Sequence, residues 1–187
     1  MISKVQIEHN ENGLGKITFH KKDVEEDITE PLSLSATTLE KLKEQWNILN
    51  FLDSDENYQS ERDYTHLGTM KLSMKKDGRE RTAEFNWTKN AVMKTLVDEY
   101  RNIGNKYVWI FNINLARKNQ PLESPKLMRA LEIKLNRNSI SDPAQMLPFL
   151  KELTNDEGIP LISRNHASRL IKKIEKKKEK KLGKDSN

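Results

Sequence analysis

The sequence contains no cysteine, and this absence removes several classes of protein at once. Disulfide frameworks, zinc sites built on thiolates and cysteine nucleophiles all need this residue. Glycine is scarce as well, with seven in 187 residues, and the glycine-rich phosphate-binding motifs are missing. We therefore predict no nucleotide cofactor, and no other cofactor is indicated.

Long apolar runs are also missing, because no window approaches the roughly 18 apolar residues of a membrane helix. The N-terminus alternates polar and apolar residues and lacks the apolar stretch of a signal peptide. These features predict a soluble cytoplasmic protein without a membrane span. A mature exported protein has the same features once its signal peptide is removed, so that location stays open.

Charge is unevenly distributed along the chain. The formal net charge is +5, and residues 172–187 alone carry eight lysines against three acidic residues, so residues 1–171 are neutral. Binding of nucleic acid or an acidic surface is therefore expected only through this lysine-rich end, and a solvated terminus is the simpler interpretation. The lysines that we assign to a possible partner surface are Lys176, Lys177, Lys178, Lys180 and Lys181.

The N-terminal pattern predicts an antiparallel sheet. Apolar residues alternate over residues 4–9 and again from Ile17 to Phe19, with a turn between the two segments. A third strand is predicted over residues 28–34, where Pro31 places it at an edge or interrupts it. Thr37 and Glu40 have the spacing of a capping box, and a helix is predicted over residues 37–50.

The strongest local pattern is a hairpin around Asp77-Gly78, a dipeptide suited to a two-residue turn. This turn pairs Met70 with Phe85 and Leu72 with Ala83 on one face of the hairpin. On the other face, Lys71 meets Glu84 and Lys75 meets Glu80. A single register satisfies both the apolar and the ionic pairs.

The rest of the chain reads as helical. Apolar residues keep helical spacing from Asn90 to about Arg117, either as one long helix or as two with a break near Gly104. Trp109 lies off the main stripe, so we place it at an interdomain or partner surface. The pairs Ser124-Pro125 and Asp142-Pro143 each indicate a helix start, and a last helix runs into the lysines.

These patterns predict an α+β fold in which an antiparallel sheet packs with one or two helices, followed by a small all-helical domain. The predicted domains are an α+β domain over residues 1–118, a linker over 119–124, a helical-hairpin domain over 125–182 and a disordered tail over 183–187.

Candidate catalytic and metal-binding residues are few. Asp53-x-Asp55-x-Asn57 begins like a calcium loop, but Tyr58 stands where glycine is required and Tyr64 where a bidentate glutamate is required. The four histidines lack zinc-site spacing, although His9 and His20 would approach each other if the first two strands pair. We therefore predict no metal site and no catalytic residue.

Three partial resemblances accompany these patterns. Residues 146–174, with Asp156 at the turn and Arg164, Ala167 and Leu170 on the second helix, resemble one HEAT-type helical hairpin. Residues 2–103 are similar in element order to emfourin-like inhibitors of thermolysin-type metalloproteases. The runs at 63–69 and 119–123 resemble an uncharacterised bacterial family, and this likeness implies no function.

We conclude from the sequence that the chain is a non-catalytic module that binds another protein, whose identity the sequence does not reveal. Three alternatives stay open. They are an inhibitor of a metalloprotease, a hydrolase with carboxylates that we cannot identify, and a weak nucleic-acid binder that uses the lysine-rich end.

Overall fold

The computed structural model describes residues 2–22 and 26–182. It confirms the predicted α+β class, with antiparallel strands and a helical C-terminal part. The described strands are β1 (Ile2–His9), β2 (Leu14–Lys21), β3 (Ile28–Ser33), β4 (Met70–Lys76) and β5 (Arg79–Phe85). The described α-helices are α1 (Ala36–Leu49), α2 (Ala91–Asn119), α3 (Ser124–Asn136), α4 (Leu147–Thr154) and α5 (Leu161–Leu182).

These residues form two compact units. The first unit joins the described residues up to Ser35 to those from Arg101 onward, and the second unit runs from Ala36 to Tyr100. This division differs from the predicted domains at 1–118 and 125–182. The predicted linker, residues 119–124, holds the end of α2, a 3₁₀ turn at Pro121–Glu123 and the start of α3. Independent folding of the predicted domains stays a prediction.

The sheet of the first unit has the order β1-β2-β3 with antiparallel pairing throughout. The turn between β1 and β2 is closed by Asn10, whose side-chain oxygen accepts hydrogen bonds from the backbone N–H groups of Asn12 and Leu14. Pro31 is on β3 and lies opposite Lys16 of β2. Strand β3 is at the edge of the sheet, as predicted. An edge tolerates proline because proline has no N–H to donate to a neighbouring strand.

Helix α2 continues unbroken through Gly104, so the prediction of one long helix is confirmed over that of two. Gly104 is buried against β1, where an added Cβ would lie 3.8 Å from Val5 Cγ1 and 4.0 Å from Ile7 Cδ1. Further along, Phe111 contacts Phe19 of β2, with ring centroids 5.1 Å apart. This part of α2 therefore packs on the sheet of its own unit.

The helical part of the first unit shares one apolar core. Its buried members are Trp109, Ile113, Met128, Leu131, Leu135, Ile140, Met146, Leu150, Leu153, Ile159, Ala167, Leu170 and Ile174. Helix α3 starts at Ser124-Pro125 as predicted, but α4 starts later than Asp142-Pro143 indicated. Residues Pro143–Met146 form a 3₁₀ turn, and α4 begins where Pro148 falls in the first turn and needs no hydrogen-bond donor.

The second unit contains the β4–β5 hairpin and α1. The hairpin has the predicted register, with Met70 opposite Phe85 and Leu72 opposite Ala83. The ionic face is present as well, because Lys71 Nζ lies 2.8 Å from Glu84 Oε1. Helix α1 lies within one residue of the predicted bounds. The buried apolar side chains of this unit are Leu42, Leu49, Phe51, Tyr58, Phe85, Met93, Leu96 and Val97.

Candidate interaction surfaces

Trp109, which we predicted at an interdomain or partner surface, is a core residue of the first unit. Its side chain is 2% exposed, and its Nε1 donates a hydrogen bond to the carbonyl oxygen of Leu127 at 2.8 Å. Phe149 contacts the indole edge-on, with ring centroids 6.1 Å apart. Partner proteins have no access to this side chain. Trp109 sits between the two predicted domains, but inside a continuous core.

Four of the five predicted lysines, Lys176, Lys177, Lys178 and Lys180, are exposed on α5. Lys181 belongs to the last turn of the same helix. The Nζ of Lys177 donates a hydrogen bond to Asn138 Oδ1 at 2.5 Å, which ties the helix to the residues that follow α3. The predicted disordered tail, residues 183–187, lies outside the described residues. The lysines described here are therefore held on a helix.

Large aliphatic side chains are exposed near the end of α2, just before α3 and in the first turn of α5 in the first unit, and we call them the leucine patch. Its members are Leu115, Leu122, Leu161 and Ile162, with exposed fractions of 46%, 83%, 61% and 55%. The buried hydroxyls of Ser124 and Ser163 lie 2.8 Å apart and join the start of α3 to the first turn of α5. Leu122, Leu161 and Ile162 are within two residues of this contact.

A surface groove of about 300 Å³ includes one residue of the leucine patch, Leu115. It runs between the end of α2 and the start of α3. Its lining residues are Asn112, Leu115, Ala116, Asn119, Gln120, Glu123, Lys126 and Leu127. Apolar side chains alternate here with amides and one residue of each charge. An apolar centre with a polar rim is the usual composition of a protein–protein contact surface.

The second unit exposes an aromatic group of its own around Trp87, which is 39% exposed. The Tyr64 ring meets Trp87 edge-on with centroids 5.7 Å apart, and His66 lies 6.0 Å beyond Tyr64. Lys94 Nζ lies 5.3 Å from the Trp87 ring centroid, within cation–π distance. Trp87, rather than Trp109, is therefore the tryptophan that a partner could reach.

Asn86 holds the loop that carries this aromatic group. Its backbone N–H donates to Gln59 Oε1 at 3.0 Å, and its Oδ1 accepts hydrogen bonds from Gln59 Nε2 and from the backbone N–H of Tyr64. Its side-chain amide also donates to Asp63. These bonds fix the loop before any partner binds, which lowers the entropy cost of binding.

The polar residues between α3 and α5 are arranged for packing rather than for hydrolysis. Ser124 and Ser163 are each fully buried, and Ser124 Oγ donates to the Pro121 carbonyl at 2.6 Å. His166 Nε2 lies 3.0 Å from Glu132 Oε2, and Lys173 lies 3.5 Å from the other oxygen. Desolvation opposes ionisation of Glu132, but the hydrogen bond and charge of His166, with Lys173, lower its pKa. A substrate cannot reach these buried hydroxyls.

A second polar cluster links α2 to α4. Arg117 Nε lies 2.6 Å from Asp156 Oδ2, and its Nη2 lies 2.7 Å from Glu152 Oε1. Burial acts to lower the pKa of Arg117, but the hydrogen bonds and charges of the two carboxylates outweigh it and raise the pKa. Each carboxylate thus has a cation partner. Asp156 also caps its turn, because its Oδ1 accepts the Gly158 N–H at 2.9 Å.

In the described part of the chain, no three histidine or acidic side chains are grouped so that they could hold a metal ion. Asp53, in the calcium-like segment, forms an ion pair with Arg79. His9 lies opposite Gly15 and His20 opposite Lys4, so strand pairing does not bring the two histidines together.

Within residues 2–22 and 26–182, none of the helices is long and apolar enough to span a membrane.

The chain matches no known protein family, no curated protein and no solved structure. The resemblances to HEAT-type hairpins, to emfourin-like inhibitors and to an uncharacterised bacterial family therefore stay interpretations of the sequence.

Proposed function

We propose that the chain is a non-catalytic interaction module that binds another protein through the leucine patch. The observation that carries this proposal is the exposure of Leu122, Leu161 and Ile162 beside the contact of Ser124 with Ser163, together with exposed Leu115 near the end of α2. Single exposed leucines are ordinary on protein surfaces, but grouped ones indicate a binding site. Leu122, at 83% exposure on a short 3₁₀ turn, is the most prominent of them.

The shape of the site favours a protein over a small molecule. The adjoining groove of about 300 Å³ is at the lower end of the range for small-molecule pockets, and it lies open on the surface. Its apolar centre, Leu115 and Leu127, is bordered by Gln120, Glu123 and Lys126. A partner that presents apolar side chains to the patch and polar groups to this border would satisfy both kinds of residue.

The expected gain in binding free energy is substantial. Full burial of one leucine side chain contributes about 1.5–3 kcal/mol, so loss of Leu122 from the contact would weaken binding by about 10-fold to 100-fold. The hydrolase alternative gains no comparable support, because the carboxylates of Glu132, Glu152 and Asp156 are each paired with a cationic or imidazole side chain. An inhibitor of a metalloprotease would itself be a protein-binding module, and thermolysin turnover tests that case directly.

The test begins with a photo-crosslinking residue at position 122 and, as a matched control, at position 48. Ile48 is 59% exposed on α1 but stands outside the patch, so it controls for an exposed aliphatic residue. We expect crosslinking to one distinct protein from position 122 only. Binding of that purified protein should fall at least tenfold in Leu122→Glu and in Leu161→Glu, and be unchanged in Ile48→Glu. Equal binding by all variants, or adducts only between copies of this chain, would contradict the proposal.

A further inference from the structure

Six of the seven exposed cations in the described part of α5 lie on one side of the helix, and Lys178 lies outside this group. At about 100° per residue, Arg169, Lys172, Lys173, Lys176, Lys177 and Lys180 fall within an arc of about 140°. All six are exposed, and we call them the basic face. Glu175 and Glu179, the acidic residues of α5, fall outside this arc. The basic face itself therefore carries no acidic residue of α5, although the sequence alternates the charges.

Helix α3 extends the basic face. The contacts between α3 and α5 follow the same order along both helices, from Ser124 with Ser163 to Asn136 with Lys173, so the two helices run parallel. Arg129 is exposed and lies one turn before Glu132, on the side of α3 that borders α5. Glu132 is the acidic residue at this border, and it is already paired with His166 and Lys173. The six cations of the basic face and Arg129 thus outnumber Glu132, the acidic residue at the border between α3 and α5.

We propose that the basic face, extended by Arg129, binds the phosphate backbone of duplex nucleic acid without reading its sequence. The face extends over twelve residues, from Arg169 to Lys180, or about 17 Å along the helix axis, and a duplex of that length carries about ten phosphates. Neither α3 nor α5 contains Phe, Tyr or Trp, and His166 of α5 is buried, so these two helices offer no exposed ring for stacking on bases. Lysine supplies a flexible point charge, which suits non-specific phosphate contacts better than base recognition.

This surface differs from a disordered lysine tail, because six of its cations have fixed positions on a helix. If each of the six neutralises one phosphate, the slope of log K against log salt concentration should be about −5. Affinity should also be the same for duplexes of unrelated sequence, since phosphate contacts carry no sequence information.

The experiment measures binding of the full chain to fluorescent 24-base-pair duplexes of two unrelated sequences, from about 50 to 200 mM salt. The test variant is Lys172→Gln, Lys176→Gln, Lys180→Gln. The matched control removes the same charge from exposed lysines of the second unit, as Lys41→Gln, Lys43→Gln, Lys76→Gln. We expect the test variant to bind at least tenfold more weakly and its salt slope to shrink by about 3. The control variant should bind as the intact chain does.

Two further measurements complete the test. The variant Lys172→Arg, Lys176→Arg, Lys180→Arg keeps the charges and should keep the affinity, which distinguishes lost charge from a disturbed helix. Vesicles with phosphatidylserine present the same anionic chemistry from another source. Equal losses in the test and control variants would overturn the proposal, because net charge alone would then explain binding. Vesicle binding without duplex binding at 50 mM salt would overturn it too.

Discussion

Replacing Gly104 with alanine should stabilise the first unit. Glycine inside a helix is about 0.5–1 kcal/mol less favourable than alanine, because it has more backbone freedom to lose on folding. The new Cβ would lie 3.8 Å from Val5 Cγ1 and 4.0 Å from Ile7 Cδ1, which are ordinary van der Waals distances. The methyl group therefore fills space against β1 without strain. We expect a gain of about 1 kcal/mol, or about 2–4 °C in Tm.

The same substitution at Gly15 should instead destabilise the first unit. Gly15 lies on β2 opposite His9, and an added Cβ would lie only 1.8 Å from the backbone oxygen of Glu8. Backbone atoms cannot rotate away as a side chain can, so β1 would have to separate from β2. Overpacking of this kind costs about 1–3 kcal/mol, and we expect the upper end, with Tm lowered by about 6–12 °C.

Both positions belong to the first unit, so one unfolding transition reports on both substitutions. Circular dichroism during heating and during urea titration gives Tm and the change in unfolding free energy. A lower Tm for Gly104→Ala would refute the packing of α2 on β1. An unchanged Tm for Gly15→Ala would refute the close strand pairing at this position.

Two further predictions concern buried aromatic side chains. Burial raises the pKa of Tyr100 to about 12 despite the hydrogen bond that its hydroxyl accepts from Trp46, so the unfolded chain ionises first above pH 10. Stability should therefore fall between pH 10 and 12, by up to about 1.4 kcal/mol per pH unit from this group, and urea titrations of Tyr100→Phe should show a smaller fall. A fragment of residues 1–118 lacks the Leu127 carbonyl and the Phe149 ring that contact Trp109. We expect it to melt below the intact chain with red-shifted tryptophan emission, and an unchanged transition would instead favour the predicted domain boundary.

The elements that the sequence predicts well are those whose determinants are local. The β4–β5 hairpin follows from Asp77-Gly78 and from cross-strand pairs such as Lys71 with Glu84. Helix α1 follows from its apolar spacing, although Thr37, the predicted cap, is the second residue of the helix. In each case the residues that decide the structure lie close together in sequence, so pattern and propensity are sufficient.

Helix α2 shows why Trp109 could not be recognised from the sequence as a core residue. A single apolar stripe describes a helix that packs on one surface, but this part of α2 is covered on two sides. Phe111 faces the sheet, whereas Trp109 and Ile113 face α3, α4 and α5. The helices that cover this second side of α2 come after residue 123, and nothing in the local pattern of α2 specifies that they pack there.

The leucine patch was missed for a related reason. Sequence patterns assign Leu115 and Ile162 to buried stripes, yet both are about half exposed. On α5 the buried side begins with Ser163 and His166, polar residues that pair with α3 and shift the stripe away from Ile162. A buried serine or histidine is not recognised as a core position from hydrophobicity alone, so the exposed aliphatic residues beside it look buried.

The leucine patch includes the first turn of α5, whereas the basic face begins eight residues later at Arg169, and this separation makes the two surfaces independently testable. Leu161 and Lys172 are eleven residues apart on α5, or about 17 Å along its axis. Apolar contacts at the leucine patch should vary little with salt, whereas phosphate contacts at the basic face should weaken steeply. Leu122→Glu should therefore leave duplex binding intact, and Lys172→Gln, Lys176→Gln, Lys180→Gln should leave binding at the patch intact. Loss of both activities in either variant would mean that the two surfaces form one site.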